Sequence, residues 1–358
     1  MIEGHRASLG EAGFAHNGDA YQQSEREYRK GYSAPNRLRD NIAAAHQTKL
    51  WRTVSVALTD HAVAGGLTLM VAWSWVKVSP GAGLAAAVPA LVGVARQLRG
   101  LENLAHEGSH SNWSRRHRKL NDALAYALAA FPTGQRLSSY RASHLRHHGK
   151  FGTDEDPDMQ RYRELGIEEI DRECMVAFAK AVAVRLVRYQ LGWLRELGTD
   201  LQTSLTPLVW AVVAVGIPCA SLLGPAAGVV AAVCWLFAML FTLPVIRFIA
   251  EADEHSYRGT ATVFDATISN LGTVQRFLFH PHADGYHTVH HMWPGIPHHA
   301  LSKIHALLMA EDPNFAQRIR VRTQLLMKPS TLRVEGDAIH DVSTALYAPR
   351  KGRTVDST

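Results

Sequence analysis

The 358-residue chain contains only three cysteines, and no two of them form a CxxC pair. Cys174, Cys219 and Cys234 are scattered, and the last two lie inside apolar runs. The cysteines therefore predict neither a disulfide framework, nor an iron–sulfur cluster, nor a cysteine-based zinc site. The first fifty residues are polar, so no secretory signal peptide is indicated there.

The sequence also has fewer apolar residues than a chain that lies mostly in a membrane. It is 47% hydrophobic and 20% charged, and its mean hydropathy is −0.10. A few membrane spans attached to a large polar portion give such an average. The net charge of +6 fits attraction to a membrane surface or to an anionic substrate carrier. We expect no nucleic-acid partner.

Four apolar stretches are nevertheless present, at residues 54–78, 81–94, 205–223 and 226–246. A helix needs ~20 apolar residues to cross the hydrocarbon core, so the last two stretches fit well. The second fits only if residues 95–101 continue it. Brief turns at 79–80 and 224–225 join the four stretches into two helical hairpins. A fifth apolar patch, at 123–131, is too short to cross and is predicted to be re-entrant or buried.

The distribution of positive charge predicts the orientation of the chain. Segments 1–50, 97–200 and 247–358 are rich in lysine and arginine, whereas the two turns contain neither. The positive-inside rule then places both termini and the central segment in the cytoplasm. We therefore predict an all-α integral membrane protein with about four transmembrane helices and a cytoplasmic helical cap.

Three parts are expected along the chain. Residues 1–50 form a polar cytoplasmic segment, and residues 51–312 form the membrane domain. Residues 313–358 form a cytoplasmic C-terminal segment whose tail, 348–358, is predicted to be disordered.

Residues 166–198 alternate charged and apolar side chains at helical spacing. Such a helix either lies in the plane of the membrane interface, with Arg185, Arg188 and Arg195 facing lipid headgroups, or packs on a soluble core.

Histidine is the abundant residue, with twenty copies, and many of them cluster. Three boxes stand out, and their sequences are His106-Glu-Gly-Ser-His110, His144-Leu-Arg-His147-His148 and His287-Thr-Val-His290-His291. All three lie on the predicted cytoplasmic side, although only lysine and arginine were used to assign that side. Histidine is the commonest metal ligand, so the boxes indicate a metal site.

The spacing within the boxes supports this interpretation. Residues at i and i+4, or at i, i+3 and i+4, project from one face of a helix and can reach a shared point. Eight imidazoles are too many for one ion, because zinc takes four ligands and six-coordinate iron leaves positions open for oxygen. The boxes therefore predict two metal ions, and neutral imidazole suits iron.

The other histidines are assigned lesser roles. Three of them follow the third box on a predicted interfacial helix and are expected at the surface or supporting the site, namely His298, His299 and His305. Six others are expected to be incidental, namely His5, His16, His46, His61, His117 and His340.

Two other kinds of protein remain open from the motifs alone. HEGSH matches HExxH, the zinc-protease helix in which the glutamate, here Glu107, is the general base. That hypothesis leaves six box histidines without a role. A non-enzymatic haem- or metal-binding membrane protein would bind metal without consuming O2, but two HxxHH boxes exceed the needs of a bis-histidine haem.

The order HxxxH, HxxHH, HxxHH between paired apolar spans resembles the membrane fatty acid desaturase superfamily. The similarity covers roughly residues 50 to 310 and includes several flanking motifs. These motifs are Asn121-Asp122 after the first box, Arg141-Ala-Ser before the second box, Asp156-Pro157-Asp158 after it, and Pro281-His282 and Pro294-Gly-Ile-Pro297 around the third box.

The resemblance implies O2-dependent removal of two hydrogens from an alkyl chain by two non-haem iron ions. The eight box histidines would be the metal ligands. Segment 247–255 is similar to a family segment that provides a further ligand, so His255 is the candidate ninth ligand, with His280 or His282 as alternatives. Residues expected to hydrogen-bond the imidazole N–H groups, and so to orient the rings, are Glu107, Asp156, Asp158, Glu254 and His282.

The same resemblance implies partners. The substrate would be an acyl-CoA, an acyl-ACP or an acyl-lipid. The chain has no His-Pro-Gly-Gly signature of a cytochrome b5 domain and too few cysteines for a ferredoxin cluster. We therefore expect an external electron donor such as ferredoxin or a cytochrome b5-type protein. The alternative within the superfamily is a hydroxylase acting on a lipid or a small natural-product precursor.

Overall fold

The computed structural model describes residues 32–199, 201–258, 262–326 and 330–331. These residues are mostly helical and include four helical segments long and apolar enough to cross a membrane. We call them spans 1 to 4, and they are Leu50–Val78, Pro80–Ser109, Thr203–Leu223 and Pro225–Glu254. The expected all-α membrane fold with about four spans is confirmed. The expectations for His5, His16, His340 and the tail 348–358 lie outside the described residues.

Span 2 is longer than its apolar stretch. It begins at Pro80, behind an N-cap in which the Ser79 hydroxyl accepts from the Ala82 amide at 3.1 Å. The helix continues through residues 95–101 and ends at Ser109, so the first histidine box forms its last turn. Span 4 likewise runs past its apolar part to Glu254, next to His255. Histidines predicted as metal ligands are thus positioned directly by membrane helices.

Regular α-helix in the spans is interrupted by short π-helical stretches. The α-helical parts are Leu50–Trp73, Pro80–Ser109, Leu201–Trp210, Ile217–Leu223, Pro225–Phe237 and Leu243–Glu254. The π-helical stretches within the spans are Ser74–Val78, Ala211–Gly216 and Ala238–Thr242. Span 1 packs along span 2, span 3 along span 4, and span 4 against both of the first two.

Small residues let the spans approach one another. The interior between them contains many fully buried alanines, for example Ala57, Ala64, Ala95, Ala227 and Ala231. Many large apolar side chains of the spans instead point outward, with Val88 70% exposed and Leu222 69% exposed. An apolar exterior of this kind is solvated by lipid chains rather than by water.

One buried charge cluster ties span 1 to the third box. Asp60 lies in span 1 and is 2% exposed. Its carboxylate contacts Arg96 of span 2 at 3.3 Å and the His282 ring at 2.6 Å. A side chain at Gly100 would lie 2.7 Å from both Asp60 and His282. The glycine therefore leaves the space that this cluster, which we call the Asp60 clamp, occupies.

The remaining helices surround the histidine boxes. They are α1 Arg39–Ala45, α2 Arg118–Ala125, α3 Phe131–Thr133, α4 Leu137–Lys150, α5 Pro157–Leu165, α6 Met175–Leu197, α7 Val263–Ala266, α8 His287–Met292, α9 His298–Glu311 and α10 Pro313–Arg318. Single 3-10 turns are Asn36–Leu38 and Ile167–Glu169, and further π-helical stretches are Tyr126–Ala130 and Gln275–Phe279. Three short strands pair as one sheet, and they are β1 Ser269–Asn270, parallel to β2 Arg320–Arg322, which is antiparallel to β3 Ser330–Thr331.

Two sequence expectations concern these surrounding helices. Residues 123–131 lie in a helical stretch that packs on span 2 and buries one face, so the buried alternative holds. Helix α6 buries Phe178, Val182 and Tyr189 and leaves another apolar stripe exposed, including Val184 and Val187. It thus packs on the protein and also presents an apolar face outward.

Two arginines of α6 make hydrogen bonds within the protein. The Arg185 Nε donates to the Gly166 carbonyl at 2.9 Å, and the Arg188 Nη1 donates to the Glu164 carbonyl at 2.8 Å. These two side chains satisfy carbonyls at the end of α5 and its following turn.

Replacement of Gly108 by alanine should destabilise the protein. Gly108 lies between His106 and His110, and an added Cβ would sit 2.4 Å from the Ala125 Cβ of α2. Overpacking of this kind costs about 1–3 kcal/mol. We expect G108A to lower the thermal midpoint, measured by differential scanning fluorimetry in detergent. The control is G65A, since nothing lies within 4 Å of a Cβ at Gly65. Equal midpoints for the two variants would contradict this account.

Candidate metal centre

All nine histidines predicted as metal ligands lie together in the structure, and all are largely buried. Five of them present ring nitrogens within 4.8 Å of one another, namely His106, His110, His144, His148 and His290. A second group adjoins the first and contains His147, His255 and His291. His287 joins the second group through Nε2 contacts of 3.0 Å to His255 and to His291.

Helix geometry explains why the rings converge. His106 and His110 end span 2, and His144, His147 and His148 lie on one helix, α4. His287, His290 and His291 lie on α8, and His255 follows the end of span 4. The i, i+3 and i+4 spacing turns each set toward the same interior point. Stacking of the His148 and His291 rings, 4.4 Å apart, joins the two groups.

The contacts within the first group are made between Nε2 atoms. They measure 3.1 Å for His106–His290, 2.8 Å for His110–His144 and 3.0 Å for His144–His148. A neutral imidazole has one N–H and one lone pair, so clustered Nε2 atoms cannot all be satisfied by each other. A cation at the centre would accept all of these lone pairs at once. The donor set therefore fits a metal ion in each group.

The electrostatics keep most of the imidazoles neutral. Burial, followed by repulsion from neighbouring imidazoles, pushes the pKa of His110, His144, His148 and His287 well below the ordinary value. Neutral imidazole is the form that binds metal. His147 differs, because Asp158 and Asp156 outweigh its burial and raise its pKa.

Asp156 holds the His147 ring in place through a hydrogen bond. The His147 Nδ1–H donates to the Asp156 Oδ1 at 2.9 Å, which leaves Nε2 for the interior. The same carboxylate caps α5 by accepting from the Asp158 amide, and it accepts from the Gly152 amide at 2.9 Å. Asp158 lies farther from His147, at 3.5 Å. These are the positions expected of residues that orient a metal-bound imidazole.

Glu254 belongs to a charged network beside His106 and His255. Its carboxylate contacts Arg99 at 3.3 Å and His280 at 3.6 Å. Asp284 completes the network, with contacts of 3.1 Å to Arg99 and 3.8 Å to the His106 Nδ1. Burial opposes protonation of His280, but Asp284 and Glu254 outweigh it and raise its pKa to about 9. His280 therefore lies among acids rather than among the box histidines.

Two supporting residues were missed in the sequence. Asp284 is three residues before His287 in the third box, and its acidic character was a usable signal. Tyr140 stacks on the His144 ring at 5.5 Å and 5°. It lies four residues before His144 on α4, so helical spacing could have indicated this contact.

Two predicted supporting residues do not contact the imidazoles as expected. Glu107 accepts hydrogen bonds from the His298 amide at 2.7 Å and from the Asn112 side chain. It therefore satisfies the N-terminus of α9. His282 contacts Asp60 in the Asp60 clamp. In the described part of the chain these contacts are made to α9 and to span 1 and not to a box imidazole.

The lesser histidines mostly have structural contacts. His61 Nε2 lies 2.8 Å from the Leu128 carbonyl, and its ring packs on Trp210. His298 and His305 are buried, and burial lowers the pKa of each to about 3. His298 contacts Thr53 at 3.3 Å, so it supports the packing of α9 on span 1.

A cavity of about 1220 Å³ opens beside the metal centre. Its walls include His106, His144, His147, His255 and His287, together with residues of spans 2 and 4 and of α4 and α6. Small molecules bind in cavities of this size. The cavity therefore gives a substrate access to both groups of histidines.

Comparison with known proteins agrees with the motifs. The family model described as "Fatty acid desaturase" matches residues 81–323, which contain all three boxes and His255. Dihydrorhizobitoxine desaturase of Bradyrhizobium elkanii is 27% identical over 241 residues, covering 61% of this chain. The match spans 66% of that relative's length. The structure brings the three histidine boxes together at the ends of four apolar spans. The chain belongs to the fatty acid desaturase family.

Proposed function

We propose that this membrane protein is an O2-dependent di-iron oxidoreductase that introduces a double bond into its substrate. The convergence of nine buried or half-buried histidines in two adjoining groups carries this proposal. Five nitrogens in one group and four in the other suit two six-coordinate ions that keep positions open. Bound iron supplies the oxidising power that acid–base side chains lack toward an unactivated C–H bond.

The residues of the chain have distinct parts in this proposal. The nine histidines hold the two ions, and Asp156 fixes the His147 ring by accepting its Nδ1–H. The network of Glu254, Asp284 and Arg99 contacts the Nδ1 atom of His106 and holds the end of span 4 in place. The cavity beside the rings positions the carbon to be oxidised. We propose that this centre and both termini face the cytoplasm, which the distribution of lysine and arginine supports.

A zinc-protease function is disfavoured by the position of Glu107. The HExxH mechanism requires this carboxylate at the metal-bound water, as general base. Here it is bonded to the His298 amide and to Asn112. The first box therefore resembles the protease motif in sequence but not in arrangement.

We propose two candidate classes of substrate. The family supports an acyl chain carried by CoA, ACP or a membrane lipid. The Bradyrhizobium elkanii relative is named for dihydrorhizobitoxine instead of a fatty acid. A small natural-product precursor is therefore a second candidate.

Metal content tests the proposal directly. We expect detergent-purified protein, offered iron and zinc together, to bind about two irons per chain, as measured by elemental mass spectrometry. Product mass then identifies the reaction, since desaturation removes two hydrogens and hydroxylation adds one oxygen. A single zinc per chain, dependent on His106 and His110 alone, would contradict the di-iron proposal.

Reduction should depend on a separate protein. Two electrons must reach the irons for each O2 consumed, and we propose a ferredoxin or a cytochrome b5-type protein as their source. We expect negligible turnover with NADPH alone and full turnover when ferredoxin and its reductase are added, measured by O2 uptake. Equal rates without the added donor would show that the chain needs no such partner.

A further inference from the structure

The cavity beside the metal centre is unusually rich in charge. Its lining contains six arginines and six acidic residues but only five leucines and valines. Contact with ionised groups does not stabilise a bound alkyl chain. The alkyl chain would also displace the water that hydrates those groups, without offering hydrogen bonds in its place. Several of these charged groups pair with one another, as Arg99 does with Glu254 and Asp284, so a ligand charge can be recognised where a group keeps an unpaired atom.

Two of the charged residues that line the cavity come from the spans themselves. Glu102 lies four residues before His106, one helical turn away on the same face. Arg247 lies two turns before His255 on span 4. Glu102 is 3% exposed and Arg247 is 6% exposed, and both residues line the cavity. They form an ion pair of 2.8 Å across the two spans.

The Arg247 guanidinium is held in a fixed position. Its Nη1 donates to the Glu102 Oε1, and its Nε donates to the Tyr189 hydroxyl at 2.8 Å. The guanidinium also lies over the Trp193 ring at 4.8 Å. Tyr189 in turn donates to Glu251 at 2.9 Å. A side chain fixed on these sides presents its remaining N–H groups with little loss of entropy on binding.

Each member of the pair retains unused hydrogen-bonding capacity. Within the described part of the chain, neither the Arg247 Nη2 nor the Glu102 Oε2 has a hydrogen-bond partner. The Glu102 Oε2 lies 3.8 Å from the Arg99 Nη1, too far for a hydrogen bond. Buried charged groups ordinarily have all of their polar atoms satisfied. An ion pair whose role was only to hold two helices together would not need one unpaired hydrogen-bond donor beside one unpaired acceptor.

We propose that the cavity binds a substrate with a zwitterionic head, of the α-amino acid type, and that Arg247 and Glu102 recognise its carboxylate and its ammonium group. The inference rests on the proposed di-iron function and defines the substrate class of that same site. The substrate carboxylate would accept from Arg247, and the substrate ammonium would donate to Glu102. The apolar remainder of the molecule then extends past His106 and His255.

Binding to the unmodified, iron-loaded protein tests this class without a variant. The probes are the 2-amino acids of six, eight and ten carbons, each compared with the fatty acid and the amine of equal length. Equilibrium dialysis of the protein in nanodiscs measures the dissociation constants. We expect at least one amino acid to bind ten-fold or more tightly than both of its counterparts. If none does, the zwitterionic class is wrong.

Charge-neutral variants then locate the binding site. We expect E102Q and R247Q each to weaken amino acid binding at least ten-fold, while iron content stays unchanged. The control is R116Q, which removes an exposed positive charge outside the cavity and should bind as the unmodified protein does. E102D and R247K replace either variant that fails to fold. Unchanged affinity in folded variants overturns the assignment to this pair.

The outcome separates this inference from the proposed function. Iron-dependent desaturation of palmitoyl-CoA or of phosphatidylcholine, with no binding of the amino acids, would leave the di-iron function standing and overturn the zwitterionic class. Absence of bound iron would overturn the proposed function itself. Amino acid binding that persists without iron would still support the recognition site.

Discussion

The double variant H147A/H148A should lose nearly all bound iron and all measurable turnover. The two residues are neighbours on α4 but belong to different groups of histidines. The His148 Nε2 lies 3.2 Å from the His290 Nε2, and the His147 ring packs at 4.9 Å from His255. One double substitution therefore removes a ligand from each proposed ion. We expect the loss in metal affinity to exceed the 10–100-fold that changes to supporting residues cost.

Elemental mass spectrometry and O2 uptake measure this result. The matched control is H117A, which removes an exposed imidazole outside the metal centre. It should keep its iron and its activity. Retention of about two irons by H147A/H148A would show that α4 does not provide ligands to both ions.

The variant D156A should also bind iron weakly, for a different reason. Asp156 is fully buried and accepts from His147, from Gly152 and from the first turn of α5. Its removal frees the His147 ring to rotate and to change its protonated nitrogen. We expect metal affinity to fall by about 10–100-fold. Loss of the helix cap should destabilise the protein by about 1 kcal/mol as well.

A chelator titration measures the metal affinity, and thermal unfolding measures the stability. D154A is the control, since Asp154 is two residues away and highly exposed, in an ion pair with Arg163. Exposed pairs contribute little, so this variant should match the unmodified protein in both measurements. D156N should lie between D156A and the unmodified protein, because its amide oxygen can still accept from His147. Equal chelator curves for D156A and D154A would contradict the supporting role of Asp156.

Much of the candidate site could be predicted from the sequence because the predicted metal ligands follow helical periodicity. The first box has histidines at i and i+4 and the other two at i, i+3 and i+4, and the local chain is helical at each one. His255 was found through the family segment, and its position follows from the end of span 4. Asp156 was found because it follows the second box closely.

The sequence did not indicate contacts between distant parts of the chain, such as those of Glu107 and Asp284. Glu107 is beside a box histidine in sequence, but helix rotation turns its side chain toward α9. Asp284 is buried with Arg99, which is 185 residues earlier in the chain. Adjacency in sequence does not give the direction of a side chain. Only packing of the helices against one another determines that direction.

Span 2 shows a related difference. The hydropathy of the sequence falls at Arg96, so the apolar run ended there, yet the helix continues to Ser109. Polar side chains in the added turns are paired inside the protein, as with Arg99 and Glu102. Internal pairing therefore extends a membrane helix beyond its apolar part. A hydropathy profile does not include such pairing.

The Asp60 clamp has a consequence for the way this protein is made. An unpartnered aspartate in a membrane helix costs up to roughly 2.5–3.5 kcal/mol on insertion, the value that applies at the helix centre. Arg96 is translated 36 residues after Asp60, whereas His282 is translated 222 residues after it. The first hairpin thus enters the bilayer with a provisional partner for its charge. The contact to His282 can form only after the ribosome has delivered the segment that precedes the third histidine box, so the final packing of the first hairpin and the assembly of the histidine cluster share a step.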